Sequence, residues 1–309
     1  MKAHGPLLLI LACCLLRLSP LTAQESHVQI GVRGGAQMWL IAPAADATAS
    51  VQGALGGSGL LDIRYAFYAP AGSTTGLGFM AGLGGGVSTG GLRGTSADRF
   101  SRTDYLGNRL DYTTSATYPQ QERFFRAEAA LLFALRAGGF VLNIGPRLMI
   151  PFASSGTLYL SEAQIDAYYP QYDVHVRNEL ITGQLPTPYV RSATPSLPQY
   201  NLLVTVEADW EWSFDRHRIG LQAFADVGVW QSCLPLASPQ PVLTVSAISN
   251  AANPVPEVSV GAPDTHIGGR RHLAFGVRGY YGICFDHSRR YGRYRHSRDT
   301  RLHHNRLLR

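Results

Sequence analysis

The chain has 309 residues, 45% of them hydrophobic and only 16% charged, with 33 glycines. That balance is too apolar for a disordered chain and too glycine-rich for a helical one. The formal charge of +6 gives no polyanion-binding signature, because residues 286–309 alone carry eight Arg against two Asp and the rest is neutral.

Residues 1–23 read as a secretory signal peptide: Lys2 is basic, Leu7 to Leu16 form an apolar run, and Leu21-Thr22-Ala23 offers a small residue before a cut. The run is too short to span a bilayer as a helix. A lipoprotein cut before Cys13 is the competing reading. After export only Cys233 and Cys284 remain, which makes no disulfide framework and no metal-ligand spacing. Cys233 falls past the outer end of one strand and Cys284 at the opposite end of another, so two free thiols are expected.

From there apolar and polar residues alternate with period two in eight segments, at about 28–40, 55–68, 76–90, 122–136, 139–152, 200–214, 218–231 and 271–285. In residues 200–214 the even positions are all apolar, from Tyr200 and Leu202 to Trp212 and Phe214, while Asn201, Thr205, Glu207, Asp209 and Glu211 face the other way. Strands present such faces and helices do not. The segments exceed the ~5–6 residues of ordinary strands and suit a bilayer, which needs about 9–11. Pro146 within the fifth segment predicts a bulge.

The connections alternate. Short ones lie at APAGST, Gly138-Gly139 and Asp215-Arg216; long ones cover about 42–53, 91–121, 153–199 and 232–269 and hold thirteen of the 18 prolines. Short periplasmic turns and long extracellular loops mark an up-and-down barrel of the outer membrane. Aromatics cluster near both strand ends, as two interfacial girdles would. The predicted fold is therefore all-β: an eight-stranded antiparallel transmembrane barrel with four long extracellular loops.

On the inward face, Arg33, Glu128, Arg147, Glu207, Asp226 and Arg278 sit at similar depth and predict a charged network filling the lumen. A gated ion path is the alternative. Glycines at the inward positions of the third segment leave room for such a plug. The G-x-G-x-x-A match at residues 76–81 lacks the helix of a dinucleotide loop, and no cofactor is expected. Ser259 and His266 share one long connection, which keeps a lipid-acting barrel enzyme as a third reading, although no catalytic set is specific. Tyr159, Tyr168, Tyr169, Tyr172 and Tyr189, stiffened by five prolines in 153–199, suit contact with a protein or glycan partner.

The signal ending LTAQ, the opening strand IGVRGGAQMW, the loop text YLGNRLDY and the closing strand FGVRGYYGICF resemble the small outer-membrane β-barrel proteins of Bacteroidetes-type bacteria, the PorT-like and OmpA-like families. The resemblance covers about residues 24–285 and implies membership in a class rather than a specific function. Such barrels end at their last aromatic residue, here Phe285. The basic segment 286–309 departs from that pattern and is expected to be a disordered periplasmic tail that meets an anionic partner through weak electrostatics. No nucleic-acid role is expected.

Overall fold

The computed structural model describes residues 25–45, 47–69, 75–104, 106–177, 189–214, 216–232, 241–245, 258–261 and 263–286. The expected signal segment, Cys233 and the expected tail beyond residue 286 lie outside the described residues. No helix among the described residues is long and apolar enough to cross a membrane.

Eight long strands build the molecule: β1 (Glu25–Pro43), β2 (Gly56–Ala69), β3 (Thr75–Thr103), β4 (Arg109–Ala137), β5 (Phe140–Leu160), β6 (Asn201–Phe214), β7 (His217–Gln231) and β8 (Ile267–Asp286). Each pairs antiparallel with the next in sequence. The ring closes where β1 pairs with β8, running from Glu25↔Asp286 to Leu40↔Arg271 without a slip. A closed sheet leaves no edge of unpaired backbone, the condition for strands to exist in hydrocarbon.

Period two then fixes which side chains face outward. Val32, Leu61, Ile63, Leu83, Leu221 and Val277 are all more than half exposed on the outer wall, each flanked by residues that point into the lumen. Soluble proteins rarely expose apolar patches beyond a few hundred Å², whereas here the apolar wall continues around the ring. Aromatic pairs bound it. Phe79–Phe133 and Phe140–Trp210 lie toward the short turns, and Phe125–Phe152 and Tyr200–Trp230 toward the opposite end. An aliphatic band between two aromatic girdles is the outer face of a transmembrane barrel.

Above the outer girdle the structure departs from expectation. Residues 91–121 do not form a loop: β3 and β4 stay paired residue for residue up to Thr103↔Arg109. At 29 residues each and about 3.3 Å per residue, they run far beyond the bilayer. At their ends the Asp104 amide donates to the Asn108 carbonyl at 2.9 Å. Gly107 takes a φ of +85°, which glycine adopts without penalty, and the Asp104 carboxylate accepts the Leu106 and Asn108 amides at 2.9 and 2.7 Å.

The described part of the segment 153–199 is likewise largely sheet. β5 continues to Leu160; Glu162–Tyr169 then pairs with residues 111–117 of β4, and Tyr189–Ala193 returns along the end of β5. The bulge expected at Pro146 is absent. Pairing with β4 keeps one register from Ala130↔Arg147 to Phe133↔Ile144, and the shift falls instead near Ala153, whose φ is +47°. On the β4 side the paired register passes over Gly145 and Pro146, so the missing N–H interrupts pairing there without inserting a residue.

Candidate functional site

The lumen is filled in layers. At mid-depth, Arg33 donates to Glu128 at 2.9 Å and is also paired with Asp226. Arg147 donates to Glu128 at 2.9 Å, to Glu207 at 2.6 Å and to the Thr205 hydroxyl at 3.0 Å. Five of the six residues expected at this depth thus form one contiguous net. Arg278 joins it indirectly: it grips Asp62 through two nitrogens at 2.8 and 2.6 Å, and Asp62 accepts from Arg64, which reaches Glu207 at 2.7 Å. Asp62 and Arg64 are therefore as central as the six. Their inward parity was legible in the sequence, but the bridging role depends on the stagger between strands.

The net fits because β3 is stripped of side chains opposite it. A Cβ on Gly82 would lie 2.7 Å from Arg64 Cγ, and one on Gly84 would lie 3.0 Å from Asp62 Cβ. Arg33 also places its Cζ over Phe224, 3.5 Å from the ring centroid, a favourable cation–π contact. The void beside the net, lined by Asp62, Arg64, Glu128 and Arg147 among others, is about 10 Å³, room for a single water at most.

Above it, Trp39, Phe124, Met149 and Leu203 make an apolar plate. Over this plate Arg270 holds both oxygens of Glu122, at 2.7 and 2.9 Å, and Asp264 at 2.5 Å. Asp264 in turn accepts the backbone amide of Ser196 at 2.7 Å. This clasp ties two of the long connections to the barrel rim.

Beyond the rim the strand extensions enclose a second hydrophobic core, built on Leu110, Tyr112, Tyr118, Leu158, Leu160, Ile165 and Leu243. The candidate loop tyrosines divide between its inside and outside. Tyr169 and Tyr189 pack against this core; Tyr159 sits half-buried on β5 opposite Val190. Tyr168 stacks on His175 with centroids 4.3 Å apart and donates to Asp173 at 3.0 Å. Tyr172 is 67% exposed. They do not form one patch. Ser259 shares its hydroxyl with Thr244 across two short paired strands, while His266 is buried at the end of a single 3-10 turn.

No family model and no curated protein matches the chain. Solved structures give distant likenesses. The outer membrane protein OprG from Pseudomonas aeruginosa is 8% identical with a TM-score of 0.26, over 85% of this chain and 96% of that one. The outer membrane protease OmpT from Escherichia coli is 9% identical with a TM-score of 0.21, over 85% and 96%. The translocator domain of the autotransporter NalP from Neisseria meningitidis is 10% identical with a TM-score of 0.20, over 91% and 96%. The class is carried by the closed ring, the apolar wall and the two girdles: this chain is a transmembrane β-barrel of the outer-membrane type.

Proposed function

We propose that the protein is exported by its signal peptide to the outer membrane, where it works as a sealed barrel that carries a folded extracellular head, the head being its interaction surface for a protein or glycan. The observation that supports this reading is the filled lumen. Cations and anions from all sides of the ring interlock at mid-depth, an apolar plate covers them, and the Arg270 clasp closes the rim. A conducting path would need these pairs to part, and breaking a buried pair leaves an uncompensated charge. The head instead projects paired strands with their own core and exposes Tyr172, Val174 and Val190.

Planar-bilayer recording tests the seal. The purified protein should show no steady conductance; a large, stable one would refute the plug and favour the channel reading. A photo-crosslinker at Tyr172 on intact cells tests the head. A discrete adduct, lost when the crosslinker is moved to the lipid-facing Val277, supports an interaction surface; no adduct argues against it.

A further inference from the structure

At the short-turn mouth of the barrel, strand pairing brings together three side chains that are far apart in sequence. His27 on β1 lies directly opposite Cys284 on β8. Glu25, two residues before His27, shares its inward face by the period of the strand. One ligand atom from each of the three lies within 4.8 Å of the other two. We propose that Glu25, His27 and Cys284 form a binding site for a soft divalent cation, with zinc the best fit to a set of one thiolate, one imidazole and one carboxylate.

The imidazole gives the independent sign. His27 is fully buried, yet its Nδ1 has no hydrogen-bond partner. The other ring nitrogen, Nε2, is bonded to Gln29 at 2.8 Å. The Cδ2 edge of the ring faces Gly282, 3.5 Å from where a Cβ would stand. Nδ1 is on the opposite edge of the ring, turned away from Gly282. A buried, unbonded imidazole nitrogen on a ring grouped with a thiol and a carboxylate is free to take a metal ion. Gln29 on Nε2 supplies the outer hydrogen bond that fixes ring orientation at metal sites.

The mouth pairs the carboxylates Glu25 and Glu211 with the guanidiniums Arg136 and Arg218. Binding displaces the Cys284 proton to water, and the thiolate and the Glu25 carboxylate together cancel the charge of one divalent cation. Arg218 now stands in for that cation: its Nε donates to the Cys284 sulfur at 2.8 Å, and it is also paired with Glu25 and Glu211. When a metal takes Cys284 and Glu25, Arg218 keeps Glu211, and Arg136 steadies the other Glu25 oxygen at 3.1 Å. Tetrahedral zinc at its usual bond lengths holds ligand atoms roughly 3.5 Å apart, so closure asks about 1 Å of side-chain movement. Three protein ligands leave the fourth position to water.

The test uses the folded mature protein in detergent with cobalt(II) as a probe. A thiolate-to-cobalt charge-transfer band should grow to one equivalent and disappear on adding zinc. It should persist in Cys233→Ser and be lost in Cys284→Ser. Affinity should fall by about tenfold or more in His27→Gln and rise in Arg218→Gln, where the competing cation is gone. Binding by the histidines of the tail gives no thiolate band. No band in the native protein, or a band that survives Cys284→Ser, overturns the proposal. Should a variant fail to fold, the native protein still decides: zinc must slow alkylation of Cys284, and an unchanged rate refutes the site.

Discussion

Glu207 is the most informative position in the lumen. It is fully buried and accepts from Arg147 at 2.6 Å, Arg64 at 2.7 Å and Gln222 at 2.8 Å. Glu207→Gln keeps the shape and removes the charge. Complete loss of one partner from a buried pair costs roughly 3–5 kcal/mol. Here neither cation is left bare, since Arg64 keeps Asp62 and Arg147 keeps Glu128, which puts the expected cost at the low end, about 3 kcal/mol. That is about a hundredfold in the folded-to-unfolded ratio. Urea unfolding in lipid vesicles, followed by the shift between unboiled and boiled bands on a gel, measures it. Asp173→Asn on the exposed head, at a position whose positive φ asparagine tolerates, should change stability by less than about 0.5 kcal/mol. Arg64→Gln should cost less in the Glu207→Gln background than alone, because the two residues share one contact. Equal effects at positions 207 and 173, or strict additivity of 64 and 207, would refute the interlocked plug.

The head should loosen without the barrel. Leu243→Ala empties part of its core, costs about 2–5 kcal/mol, and should open the head to added protease on intact cells while the gel shift of the barrel persists; loss of both together would show one cooperative unit. Near the tip of the β3–β4 hairpin, the Ser101 hydroxyl and then Arg109 hold the Asp111 carboxyl below its usual range. A lowered carboxyl stabilises at pH above its ordinary value, and the gain is lost as pH falls through the lowered one. NMR titration of Asp111 should show that lowered midpoint, and Ser101→Ala should raise it; an unmoved midpoint would remove Ser101 as the cause.

The ring was legible in the sequence because within the bilayer one face of every strand is apolar and the other charged. The extension of β3 and β4 was not legible, and the reason is physical. Along β4 the inward parity never changes, yet its chemistry does. Arg126 and Glu128 point into the charged lumen, Gln120 and Glu122 line the rim, and Tyr118, Ala116, Tyr112 and Leu110 point into the head core. Outward residues change in the opposite sense, from Leu131 and Phe133 to Thr117, Ser115 and Thr113. A strand that leaves lipid for water inverts which face is apolar, and the inversion reads in sequence as the end of the strand. The lumen net was partly legible for the same reason that it exists, since inward charges at matching depth must meet. The bridge through Asp62 and Arg64 depends on the stagger between strands, which alternation does not encode.

The seam between β1 and β8 bears on how the chain is made. The edge of β1 stays uncovered until β8 pairs with it. The last strand also delivers Arg278 to Asp62 and Arg270 to Glu122. A seven-stranded intermediate therefore carries two open backbone edges together with a Glu122 carboxylate whose cation has not arrived. Hydrocarbon penalises both, and both penalties vanish in the same step. Entry of a half-made chain into lipid is thereby opposed from two directions, and insertion is tied to arrival of the C-terminal strand.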